Sequence, residues 1–171
     1  GDTIGIFGES GSGKSTFVNL LIGLLKPDKG EILINDKNIN SNIYLWRKNI
    51  GYVPQNIFLI DDTFKKNISL NFDSKKENLE RLNECLKQSE LEKFISSLPN
   101  GIDTIVGERG SRISGGQLQR VGIARALYNN PEILIFDEST SALDRETELE
   151  IFKKIYKFKD RKTLIIITHK K

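Results

Sequence analysis

The chain has 171 residues, 37% of them apolar and 29% charged, with a formal net charge of +3. That length suits one domain able to bury a sizeable core, and the composition is that of an ordinary globular protein. The small basic excess gives no argument for nucleic acid or an anionic membrane surface, the single cysteine excludes an internal disulfide, and no apolar run approaches the ~18 residues of a membrane span.

Thr3 to Phe7 is a short β-branched and aromatic run that reads as a buried strand rather than a signal peptide. With no initial methionine, the chain reads as a trimmed or processed piece of a longer protein. A glycine-rich turn, Gly8 to Gly13, leads into a helix predicted over Lys14 to Leu25, where Phe17, Val18, Leu20, Leu21, Leu24 and Leu25 recur at helical spacing. Pro27-Asp28-Lys29-Gly30 marks a turn. Strands are predicted at Glu31 to Ile34 and Ile50 to Val53, flanking a short helical segment with Tyr44 and Trp46.

The middle is different. Ser74-x-x-Glu77 has the capping-box pattern, and Leu79, Leu82 and Leu86 follow at helical spacing. Further helices are predicted at Leu91 to Leu98 and Gln117 to Tyr128. Cys85 falls in the first of these apolar patterns and reads as a buried or half-buried small hydrophobe. Strand, helix and strand then return at Ile133 to Asp137, Glu146 to Phe158 and Thr163 to Thr168. Buried apolar strands alternating with helices predict an α/β fold: a mainly parallel sheet with helical crossovers, residues 1–55 and 131–171, interrupted by a mostly helical subdomain at about 56–130.

Gly8-Glu9-Ser10-Gly11-Ser12-Gly13-Lys14-Ser15, followed by Thr16, fits the phosphate-loop pattern G-x-x-x-x-G-K-[ST] in its required context, after a strand and opening a helix. Glycines let successive N–H groups turn toward phosphate oxygens, and the helix adds its positive end. Lys14 can reach the β- and γ-phosphates, and the Ser15 hydroxyl is a hard ligand suited to Mg2+. Ile133 to Phe136 delivers Asp137 and Glu138 to the carboxyl end of the sheet, where α/β folds bind ligands. Asp137 is the candidate to hold the metal, through water, and Glu138 the candidate base for an attacking water.

Further motifs identify a family. Ser114-Gly115-Gly116-Gln117 with Gln119-Arg120, Ala124 to Leu127, Asp137-Glu138, and Ser141-Ala142-Leu143-Asp144 resemble the signature, Walker B and D-loop motifs of ABC ATPases. Gln55, in Tyr52-Val53-Pro54-Gln55, resembles the Q-loop glutamine, and His169 the switch histidine. The resemblance covers nearly the whole chain, and its fold is that of a P-loop NTPase. It implies ATP and Mg2+ as ligands, with Ser15, Gln55 and Asp137 on the metal. It also implies a second ABC ATPase domain whose Ser114 to Gln117 covers the γ-phosphate. Asp144 would join the nucleotide contacts, and Lys14, Gln55, Glu138 and His169 would carry catalysis. Ser114 heads a predicted helix and offers free N–H groups, and one chain cannot readily aim both helix ends at one phosphate; a two-fold dimer would supply them reciprocally.

Gly107-Glu108-Arg109-Gly110 resembles a segment of exporter-type ABC domains. This implies a transmembrane partner or fused domain at the cytoplasmic face of a membrane, docking near Gln55 and Glu108, with Tyr44, Trp46, Phe58 and Phe64 as candidate groove residues. Ile113 stands where the signature usually has leucine, a mild apolar swap. The aromatic that usually stacks on adenine lies outside this chain, so the isolated chain is expected to bind nucleotide weakly. A soluble ABC ATPase acting on DNA or ribosomes is the alternative, but the basic residues are scattered, with no dense patch, and no nucleic acid is expected. A purely regulatory nucleotide binder is the third reading, and the intact Glu138 argues against it. Homodimer and heterodimer are equally open.

Overall fold

The computed structural model describes residues 1–9, 11–72, 78–107, 113–138, 143–157 and 162–168. Four parallel strands form the main sheet: β1 (Thr3–Phe7), β4 (Ile50–Val53), β5 (Ile133–Asp137) and β6 (Thr163–Thr168), in the order β1-β6-β5-β4. Alternate residues of each strand serve opposite faces, as a period of two requires. Ile135, Ile165 and Ile167 pack with Val18 and Ile22 of α1 (Lys14–Leu21) on one face. Leu134, Phe136 and Leu164 point the other way, into the larger core with α6 (Gly115–Tyr128) and α7 (Arg145–Tyr156). Both faces of β5 and β6 are covered, so these two read as continuous apolar runs, whereas β1, predicted as a buried strand, lies at the sheet edge with Ile4 and Phe7 exposed.

The predicted helix over Lys14 to Leu25 stops at Leu21. Gly23 takes φ 72°, and the Leu24 and Leu25 N–H groups both donate to Asn19 O, which folds the chain back. The Trp46 indole donates to Leu21 O at 2.7 Å and Arg47 Nε to Ile22 O at 3.3 Å, so α2 (Ile43–Lys48) holds the carboxyl end of α1. The predicted strand at Glu31 to Ile34 shortens to β2 (Leu33–Ile34), paired antiparallel with β3 (Lys37–Asn38). Asn35 and Asp36 both take positive φ in the turn between them, a conformation that asparagine and aspartate tolerate.

The predicted helical subdomain contains α3 (Phe64–Ser69), α4 (Leu79–Gln88), α5 (Glu92–Ser96) and α6. Asn78 caps α4, its side chain accepting from the Arg81 N–H; the predicted box at Ser74 and Glu77 lies outside the described residues. Cys85 is fully buried beside Leu82 and Leu86, as its helical spacing predicts. Two groups tie this subdomain to the segment that leaves β4. Asn67 is 0% exposed; its amide donates to Ile60 O and Thr63 O and its carbonyl accepts from the Ile60 N–H. From α6, Arg125 Nε donates to Asn67 O at 2.8 Å and Nη1 to Phe58 O at 3.0 Å. Burial lowers the Arg125 pKa from its ordinary value, as desolvation of a cation must.

Gly51 sits where β4 meets α6. A Cβ there would lie 2.4 Å from Ala126 O and 2.8 Å from both Leu134 Cδ2 and Pro131 Cγ. No side chain larger than hydrogen fits that approach of backbone to helix.

Candidate functional site

The site forms at the carboxyl end of the sheet, where β1, β4 and β5 release their loops. A cavity of about 520 Å³ is lined by Gly11, Gly13, Lys14, Ser15, Thr16, Gln55, Asp137 and Glu138. These residues come from three separate stretches of sequence. Parallel pairing brings them to one edge, because β6 registers Ile6 against Ile167 on one side and Asp137 against Ile167 on the other.

The loop between β1 and α1 is shaped by its glycines. Gly11 and Gly13 adopt φ 80° and 89°, which L side chains rarely take. A Cβ on Gly8 would lie 2.5 Å from Ser12 Oγ, so a larger residue there would have to displace that hydroxyl. Lys14 lies along this loop, donating to Gly8 O at 2.7 Å and Glu9 O at 2.9 Å. Its ammonium is also 3.7 Å from Glu138 Oε1, with both side chains largely shielded from solvent.

Glu138 has φ 49°, a left-handed conformation that costs a non-glycine residue about 1–2 kcal/mol. Its N–H donates to Ile167 O at 3.0 Å, which holds the turn in place. The turn directs the carboxylate toward the cavity, where Oε2 accepts from Gln55 Nε2 at 3.2 Å. Strain of this kind, retained at the end of a buried strand, is a mark of functional sites. Asp137, 9% exposed, accepts from the Tyr52 hydroxyl through Oδ2 at 3.0 Å. Burial first, then the Asp137 charge and the hydrogen bond, push the Tyr52 phenol well above its ordinary value, so it remains a proton donor at any physiological pH.

The donor set fits a nucleotide with magnesium. Ser15, Gln55 and Asp137 bring hydroxyl, amide and carboxylate oxygens to one wall, the hard ligands Mg2+ prefers. The positive-φ glycines, Lys14 and the amino end of α1 supply the anion-binding groups of the same cavity.

The sequence model of the family described as ABC transporter matches residues 1–141. The chain belongs to that family. It is 41% identical over 171 residues to an ATP-dependent lipid A-core flippase of Bordetella avium, covering 99% of this chain and 29% of the flippase. It is 44% identical to the leukotoxin translocation ATP-binding protein LktB of Mannheimia glucosida, again over 99% of this chain and 24% of the relative. Among solved structures, a bacterial Atm1-family ABC exporter with ATP bound superposes with a TM-score of 0.91 at 40% identity, over 99% of this chain and 30% of that one. The chain therefore spans less than a third of the length of each of these relatives. The predicted P-loop NTPase fold is the observed one, an ABC domain with a mainly parallel sheet.

Of the ABC residues singled out in the sequence, the structure brings Gly11, Gly13, Lys14, Ser15, Thr16, Gln55, Asp137 and Glu138 to the cavity. Gly8 and Glu9 support Lys14 through their carbonyls, and the Ser12 N–H donates to Glu9 O at 3.2 Å. Among the described residues that line the cavity, none comes from the Ser114 to Gln117 turn or from Asp144. Ser114 instead caps α6 in a full capping box: its Oγ accepts from the Gln117 N–H, and the Gln117 side chain accepts from the Ser114 N–H. Gly115 is already helical, two residues before the predicted start. Asp144 caps α7 by accepting from the Thr147 N–H at 2.9 Å, and these hydrogen bonds hold its carboxyl below the ordinary pKa. Ser10, Glu108, Arg109, Gly110, Ser141, Ala142 and His169 lie outside the described residues.

Two of the four aromatics expected to line a docking groove do not. Trp46 and Phe64 are buried, Trp46 against α1 and Phe64 in the larger core, edge-on to Phe94. Tyr44 and Phe58 remain exposed, and Leu70 and Phe72 are exposed beyond α3. Tyr52 escaped the sequence reading as a site residue. Its signal was strand alternation: paired with Ile135, it shares a face with Asp137 two residues further along β5.

Proposed function

We propose that this chain is the ATP-binding domain of an ABC exporter, hydrolysing ATP with Mg2+ at an interface with a second such domain. The convergence of Lys14, Gln55, Asp137 and Glu138 on one cavity is the observation that carries the reading. The loop N–H groups and Lys14 bind the phosphates; Ser15, Gln55 and Asp137 hold the metal. When bound, Mg2+ neutralises charge on the phosphate oxygens. Glu138 sits between Lys14 and Gln55, within 3.7 Å of the first and 3.2 Å of the second. From there its carboxylate accepts the proton of a water whose oxygen adds to the γ-phosphorus, while ADP departs with the electrons of the broken bond. Most of the acceleration comes from positioning and charge stabilisation.

The capped α6 points to the partner. Its Ser114 to Gln117 turn is outside the chain's own cavity, yet it presents the amino end of a 14-residue helix. A second domain related by a two-fold axis would bring that end to the γ-phosphate, with Asp144 near the seam and His169 completing the site. The exposed Phe58, Leu70 and Phe72 suit a transmembrane partner docking beside α3 at the cytoplasmic face. The likeness to a flippase, a translocation protein and an exporter supports the outward direction.

The test is Mg2+-dependent ATP hydrolysis by the purified protein across a concentration series, against Glu138→Gln. Turnover should rise faster than linearly with protein concentration and fall about a hundredfold or more in the variant, the usual worth of a general base. A Glu138→Gln protein with undiminished turnover would show that another group takes the proton.

A further inference from the structure

Between β4 and α3, residues 54–62 form neither helix nor strand, yet they carry Gln55, whose amide donates to Glu138 Oε2 at 3.2 Å. Two fixed points set where that amide lies. Upstream, Val53 ends β4 and pairs with Phe136, the neighbour of Asp137. Downstream, Ile57 and Phe58 are seated on α6. Ile57 is buried against the bare backbone of Gly122, where a Cβ would lie 2.4 Å from its Cδ1. One turn further along the same face of α6, Arg125 donates from Nη1 to Phe58 O at 3.0 Å and from Nε to Asn67 O at 2.8 Å. The apolar seat has no direction and resists separation more than sliding. Two bonds from one planar guanidinium fix both place and direction.

We propose that Arg125 is a positioning residue for Gln55: by tying Phe58 O to α6 just past the glutamine, it keeps the amide at Glu138 and within the cavity. The inference rests on Gln55 acting at the nucleotide and metal of the proposed function. Helix α6 is continuous over 14 residues, so the anchor for Gln55 and the Ser114 turn at its amino end belong to one rigid rod. A shift of α6 therefore reaches the glutamine through Arg125. Lys14 and the phosphate loop follow β1 instead and have no part in this tie.

Arg125→Met keeps the length and removes every donor. Mg2+-dependent hydrolysis is followed in single turnovers, with protein in excess so that slow variants remain measurable, for wild type, Arg125→Met, Gln55→Ala and the double variant. Binding of a fluorescent ATP analogue in EDTA and melting curves are recorded alongside, and rates are taken well below the melting transition. Arg125→Met should lower the rate about tenfold or more, the cost of a displaced site group, with the affinity in EDTA unchanged. In the Gln55→Ala background the same change should cost little further, because the group it positions is already gone. An equal fall in both backgrounds would mean that Arg125 acts through packing alone, and overturns the inference while leaving the proposed function intact; an undiminished rate in Arg125→Met does the same. Arg125→Lys, which keeps the charge and a donor but not the fork, should lose less, and it carries the same cycle if Arg125→Met does not fold. Undiminished hydrolysis in Gln55→Ala removes Gln55 from the proposed function and overturns the inference with it.

Discussion

Truncating Asn67 tests whether the segment leaving Gln55 is held by side-chain hydrogen bonds. In Asn67→Ala three well-formed bonds vanish, at 2.9, 3.0 and 3.1 Å, together with longer contacts to Asp62 O at 3.3 Å and from Arg125 Nη2 at 3.4 Å. Counting about 1 kcal/mol net for each good bond, and little for the long ones, gives a loss of about 3 kcal/mol. The residue is fully buried, so the Ile60 N–H and two carbonyls lose their partner with no water to replace it. For a domain of this size that should lower Tm by about 6–12 °C. Urea denaturation followed by the far-UV signal measures the free energy. A loss under about 1 kcal/mol in Asn67→Ala would refute the accounting and show that apolar packing of α3 against α6 is what fixes this segment.

Gly51→Ala should destabilise by about 1–3 kcal/mol, the usual cost of overpacking, because its Cβ would meet the Ala126 carbonyl, which cannot move without disturbing α6; calorimetry shows the change. Burial pushes the Cys85 thiol up to about 11, above its ordinary value, so its contribution to stability is complete below pH 9 and is lost as pH rises toward 11. At pH 8 a thiol reagent should therefore label Cys85 only after denaturant is added, and labelling of the folded protein at the rate of a free thiol would contradict its burial.

The four long strands and α6 were legible because each follows from one strong local signal. Ile133 to Phe136 is uniformly apolar since both faces of β5 are covered, and the phosphate loop stands between a strand and a helix as its chemistry demands. Most of the described cavity residues were legible for the same reason, since phosphate-binding backbone needs particular glycines and Lys14 a particular offset. What was hidden is what depends on packing. Helix α3 spans only Phe64–Ser69, less than two turns, too short for periodicity to emerge; the Thr63 side chain accepting from the Lys66 N–H was its one local sign. The early end of α1 was hidden because Leu24 and Leu25 continue the apolar pattern although both are exposed. Trp46 and Phe64 looked like groove aromatics since composition does not say which side of a short helix faces inward. Tyr52 and Arg125 owe their roles to partners far along the chain, Asp137 and Phe58, which no local pattern connects.

The strand order has a bearing on how the protein is made. β1 hydrogen-bonds to β6 alone among the described strands, pairing Thr3 with Leu164, and β6 is also what joins β1 to β5. Within this domain the phosphate loop is synthesised well before β6, so its supporting strand lacks its described neighbour until β6 has been made. The helices α3 to α6 pack on one another within residues 64–128 and can associate before β5 and β6 are made; the nucleotide site cannot. Until β6 inserts between its two neighbours, β1 and β5 each present an unpaired edge, and Ile135 lacks the flank that Ile165 and Ile167 later supply.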